Sequence, residues 1–86
     1  MYYALTDKGL NRAEQGLPEQ KSDYFGVLGA LTDLEETEPF KPHTTAQIMQ
    51  VMEKPRGYSI YLALESLINN DLIEEVQKGD ERFPDF

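Results

Sequence analysis

The side chains that could do chemistry here are few. His43 is the one histidine and cysteine is absent, so a Cys–His pair, a disulfide and a thiolate metal site are all excluded. His43 follows Pro42 and precedes a helix cap, a context that predicts an exposed, solvated loop imidazole rather than a base or a ligand. Two adjacent acid pairs stand out, Glu35-Glu36 and Glu74-Glu75. Neighbours on a helix or a strand diverge, so neither pair can converge on one substrate atom as an acid and base must. No Gly-rich phosphate loop, zinc spacing or acidic calcium loop occurs. The expectation is a protein without catalytic residues, metal or cofactor.

The basic side chains suggest a binding surface instead. Lys54 and Arg56 precede a predicted helix whose N-terminal amides favour phosphate, and Tyr58, Ser59 and Tyr61 stand on its first turns. Lys78 and Arg82 flank a predicted turn. Together these seven residues form a candidate set for duplex DNA, in which Lys and Arg contact phosphates and the others reach base edges. Glu65, Asp80 and Glu81 lie among them and cancel part of the charge.

The chain has 86 residues and a net charge of −8. That length suits one domain with a thin core. Residues 1–53 carry four basic and nine acidic side chains, and residues 54–86 carry four and seven, so neither half is basic. Long-range repulsion from a phosphate backbone therefore opposes nucleic-acid binding unless a local patch overcomes it. Acidity also suits solubility and high internal salt. No apolar run approaches the roughly 20 residues that span a bilayer. The start Met1-Tyr2-Tyr3-Ala4-Leu5-Thr6-Asp7 lacks the features of a signal peptide, so a cytoplasmic location and no membrane partner are expected.

The elements that must position these residues follow from periodicity and punctuation. Tyr2–Leu5 reads as a strand, and Thr6 caps a helix over about Asp7–Gln15 that Gly16 and Pro18 end. Ser22 caps a helix over about Asp23–Glu35, with Tyr24, Leu28, Leu31 and Leu34 on one face and Phe25 and Val27 beside them. Gly26 and Gly29 weaken that helix unless another backbone packs close to them. Pro39 and Pro42 impose an extended connector. Thr44 and Gln47 form a capping box for a helix to about Glu53, with Ile48, Val51 and Met52 inward. A last helix covers about Tyr58–Asn70, with Ile60, Ala63, Leu64 and Leu67 inward. Leu72–Val76 reads as a strand, Gln77–Asp80 as a hairpin turn, and Glu81–Phe86 as the start of a return strand at an edge because of Pro84.

Three helices followed by a hairpin is the order of a winged helix-turn-helix. Tyr58-Ser59-Ile60-Tyr61-Leu62-Ala63-Leu64-Glu65-Ser66-Leu67-Ile68-Asn69-Asn70-Asp71-Leu72-Ile73-Glu74 resembles the recognition helix and first wing strand of the PadR and MarR families, with Asp71 where those families usually have Gly. Tyr3-Ala4-Leu5-Thr6-Asp7-Lys8-Gly9 resembles their Y-x-L-T-x-K-G signature, which belongs to the second wing strand and the helix after it. The resemblance implies an α+β winged helix over residues 1–86, with an N-terminal strand and helix (1–20), a three-helix core (22–71) and a β-wing (72–86). It also implies that the wing's second strand and terminal helix stand at the N-terminus. The strand Tyr2–Leu5 should then pair beside the C-terminal hairpin, in its own chain or in a partner's, and exchange would make a homodimer.

Two functions follow. One is a dimeric transcriptional regulator that places the last helix in the major groove of duplex DNA. The other is an acidic winged-helix module for protein–protein interaction, without DNA. Leu62 and Ile68 occupy positions that the resemblance predicts to be outward, where the families more often carry polar or basic residues. Leu62 with Tyr58, and Ile68 with Tyr61, would add apolar area. Tyr2, Tyr3, Leu62 and Ile68 are the candidates for partner contact.

Overall fold

The computed structural model describes residues 1–18, 22–53 and 57–83, with the backbone alone for Tyr58. It is an α+β fold of four helices and a three-stranded antiparallel sheet. The order is β1 (Tyr2–Leu5), α1 (Asp7–Glu14), α2 (Asp23–Thr37), β2 (His43–Thr44), α3 (Thr45–Met52), α4 (Tyr58–Asn69) and β3 (Ile73–Val76). In the sheet, β1 lies between β2 and β3. Tyr2 pairs with Val76 and Leu5 with Ile73 of the same chain, so the two ends meet without exchange. Tyr3 and Leu5 alternate onto the face that joins the core, as the two-residue period of a strand requires.

The core sits between this sheet and the helical body. Val27, Leu28, Ala30, Leu31 and Leu34 of α2 meet Ile48 of α3 and Ile60, Ala63, Leu64 and Leu67 of α4, all buried. The apolar stripes are those the helical period requires, with two corrections. Val51 is 37% exposed, because Ile48, Met49 and Met52 are the residues that the short α3 turns inward. Val51 stands instead at the rim of a groove between α2 and α3, beside Ser22 and Asp33. Gly26 is approached by the flexible end of Met52 rather than by a backbone, so its tolerance in α2 has a side-chain cause.

Helix ends show the chemistry that sets them. Thr44 and Gln47 close a reciprocal capping box: the Thr44 hydroxyl accepts the Gln47 N–H at 3.2 Å, and Gln47 Oε1 accepts the Thr44 N–H at 2.9 Å. Ser22 occupies the first cap position of α2 without a side-chain bond to it. At the end of α4, the Leu72 N–H donates to the Leu67 carbonyl and the Asp71 N–H to the Ile68 carbonyl, both at 3.0 Å. This is a Schellman motif, and it requires the left-handed φ of +60° found at Asp71.

That turn is held by the turn between β1 and α1. The Thr6 N–H donates to the Leu72 carbonyl at 3.1 Å, and the Thr6 hydroxyl donates to the Asp71 carbonyl. The same hydroxyl accepts the Gly9 N–H at 3.1 Å and so caps α1. Gly9 lies so close to the second turn that an added Cβ would stand 1.9 Å from the Leu72 carbonyl oxygen.

The expected return strand is absent among the described residues. Glu81 to Phe83 form a turn, closed by the Phe83 N–H donating to the Asp80 carbonyl at 3.0 Å. The Asp80 carboxylate also accepts the Arg82 N–H at 3.0 Å, a local bond that competes with strand pairing. β1 fills the neighbouring place in the sheet. The remainder of the expected strand, 84–86, lies outside the described residues.

Two substitutions test this arrangement in opposite directions. Gly9→Ala drives a methyl into backbone and lowers unfolding free energy by about 3 kcal/mol. Asp71→Gly relieves the left-handed conformation and raises it by about 0.5–1 kcal/mol. Urea denaturation reads both as shifts of the midpoint at constant slope.

Candidate interaction surface

The buried stripe of α4 leaves a second face outward. Ser59, Glu65, Ser66 and Asn69 are exposed along it, with Tyr61 at 40% and Leu62 at 45% exposure. Of the four residues expected to contact a partner, Leu62 alone keeps a fully outward place. Tyr3 is buried in the core, where burial, with the Glu75 carboxylate adding to it, raises the pKa of its hydroxyl against an opposing hydrogen bond with Thr45. Ile68 is half-buried and packs on the core, and Tyr2 is half-buried in the central strand. Strand and helix residues next to a core stripe are drawn in when the sheet wraps toward them, which the α4 sequence does not reveal.

Of the four bases in the expected DNA-binding set, Lys78 and Arg82 are among the described residues. Lys78 is exposed on the turn beyond β3, as expected. Arg82 is clamped by acids: its guanidinium donates to Asp80 at 3.1 and 2.8 Å and pairs with Glu74 of β3 at 2.5 Å. It also stands over the Phe83 ring, 5.5 Å from the centroid. The hydrogen bonds from Arg82 pull the Asp80 carboxyl down to about 2, and Asp80 and Glu74 together push the guanidinium pKa up. Lys54 and Arg56, and the side chain of Tyr58, lie outside the described residues. The last described residue before the gap ahead of α4 is Glu53, and the charged residue on α4 itself is Glu65, both exposed.

His43 overturns the expectation of an exposed loop residue. It is 1% exposed, on β2, opposite Tyr3. Neither ring nitrogen has a hydrogen-bond partner. Burial lowers its pKa from the ordinary imidazole value, and the Glu38 and Glu35 carboxylates oppose that shift. The local pattern gave no sign of this, because the imidazole is covered only when β2 pairs with the distant β1. His43 lines neither the groove between α2 and α3 nor a groove between α1 and α2 with Leu10, Ala13, Glu14 and Glu35. Among the described residues no group of three or more His, Asp or Glu side chains is placed to hold a metal ion, and no helix is long and apolar enough to cross a membrane.

The acid clamp on Arg82 has a direct readout. In an NMR titration of the parent chain the Asp80 midpoint is expected at about 2. In Arg82→Ala the midpoint returns toward the ordinary value of about 3.9. An unshifted midpoint would mean that the clamp does not persist in solution. No family model, curated protein or solved structure matches this chain.

Proposed function

We propose that the chain is an acidic winged-helix module that binds a protein partner through the outward face of α4. The fold part of this reading is supported by the sheet. β1 lies antiparallel beside β3, as a second wing strand lies beside the first, and leads through Thr6 into α1. The resemblance at Tyr3–Gly9 implies that arrangement. The winged-helix order then starts at α2 and runs through β2, α3, α4 and β3 to β1 and α1, a cyclic shift of the chain order.

The observation that carries the functional part is the exposed pair Tyr61 and Leu62 on a helix whose described charged side chain is Glu65. Apolar and aromatic side chains on an outward helix face are an anchor for a protein surface. A net charge of −8 disfavours a second copy of the chain and favours a basic partner. Within one chain β1 pairs with β3, so the sheet is complete without a second copy.

DNA binding is the second reading, and a specific observation favours it. Ser59 and Tyr61 are exposed on the early turns of α4, and Lys78 is exposed beyond β3, where a winged helix would meet duplex DNA. In that reading the protein regulates transcription as a dimer. Arg82 is the weak point, since DNA would have to displace Glu74 and Asp80 from it.

One experiment separates the two. Leu62→Asp keeps the helical circular-dichroism spectrum and abolishes recovery of the partner on affinity purification, while fluorescence anisotropy of mixed genomic duplexes at low salt stays flat. Saturable, salt-sensitive anisotropy that Lys78→Ala and Arg56→Ala each weaken would replace the protein reading with the DNA reading. Unchanged partner recovery by Leu62→Asp would end the protein reading on its own.

A further inference from the structure

We propose that His43 is a pH latch: its protonation releases β2 from the edge of β1 while the β1–β3 pair and the helical body stay folded. The inference stands apart from the choice of partner. It begins with an imidazole that is 1% exposed and has no hydrogen-bond partner at either ring nitrogen. Neutral, such a ring tolerates an apolar site. As an imidazolium it carries two N–H donors and a charge; the Glu38 backbone carbonyl favours the charged ring, but burial outweighs it.

The surrounding groups do not rescue the charge. From α2 and its C-terminal cap come the carboxylates of Glu35 and Glu38, and from the connector comes the Lys41 ammonium. Glu38 is already engaged, paired with Lys41 at 3.1 Å and accepting from Gln47 of α3 at 3.3 Å. From β1 the cross-strand neighbour is Tyr3, whose hydroxyl is bonded to Thr45. Burial outweighs the two carboxylates, so the imidazole pKa is lowered. A folded pKa below the unfolded one means that this site supports folding above about 6.5, and that its support is lost as pH falls through the folded value.

The loss is local because β2 is weakly tied. It pairs with β1 through two residue pairs, Tyr2 with Thr44 and Tyr3 with His43. The chain before it passes through Phe40, which is 81% exposed at a left-handed φ of +66°. β1 and β3, by contrast, are matched over four residue pairs and anchored by Leu5 and Ile73 in the core. Opening β2 uncovers one edge of the central strand, and an uncovered edge is a template for pairing with another chain. His43 is the one histidine, so between pH 7.5 and 5.5 no other side chain of ordinary pKa changes charge.

Amide hydrogen exchange, normalised to intrinsic rates, tests the latch. From pH 7.5 to 5.5 the protection of residues 43–45 falls by up to about tenfold, the most that one imidazole with an opened-state pKa of about 6.5 can supply. Protection in β1–β3 holds, and His43→Leu removes the pH response. An equal response in His43→Leu overturns the proposal, and so does loss of protection throughout β1–β3. The parent chain gives a further check should His43→Leu fail to fold. A ring titration with its midpoint at or above about 6.5, with protection at 43–45 retained, would also overturn it.

Discussion

Everything else in this fold rests on the contact between two turns that lie far apart in sequence. Thr6 and Gly9 close on the carbonyls of Asp71 and Leu72. One threonine side chain does two tasks there: it caps α1 by accepting the Gly9 N–H, and it donates across to the end of α4. The missing Cβ of Gly9 is what lets the turns approach. The Schellman turn at Asp71 supplies the other half, because it turns those carbonyls out of the helix. With these turns joined, β1 is delivered in register to β3, and Leu5 and Ile73 complete the core.

The second constraint is charge. A chain with 16 acidic and 8 basic side chains has little positive potential to spare. The structure uses several of those bases locally. Lys41 pairs with Glu38, Arg82 with Glu74 and Asp80, and Arg12 donates to the Gly16 carbonyl while lying over Phe25. Exposed pairs of this kind add little to stability, about 0–1 kcal/mol each. Their consequence is for binding, since a guanidinium held by two carboxylates is a poor phosphate contact. The protein surface proposed on α4 does not depend on a free base.

How much of this the sequence discloses depends on how local the cause is. The four helices, the Thr6 cap and the Thr44–Gln47 box depend on residues within one turn of each other, and all are legible. The strand Tyr2–Leu5 and its place beside β3 were legible through a resemblance in seven residues, and the Thr6 and Gly9 contacts give that motif a physical reason. His43 was misjudged as exposed and Ile68 as outward: His43 stands on β2, whose partner β1 is remote in sequence, and Ile68 is half-buried against the core. The return strand was misjudged for a related reason. Its residues suit a strand, but β1 occupies the neighbouring place and Asp80 holds Arg82 in a turn. Sequence periodicity reports which face of an element is apolar, and it is silent on what comes to lie against an edge.

The position of β1 also governs how the molecule can assemble. α2, α3 and α4 pack on one another through contacts within a continuous stretch, Asp23 to Asn69. The sheet has no such local origin. Its central strand comes from one end of the chain, β3 from near the other, and β2 from the middle. Closing that loop has an entropic cost that contacts between the ends repay only after both have arrived. The helical body can draw on contacts within one continuous stretch, whereas β1 finds its partner strands only when distant parts of the chain meet. β1 is paired on both edges, over four residue pairs with β3 and over two with β2. The least secure edge of the sheet thus lies where the chain buries its one histidine without a partner.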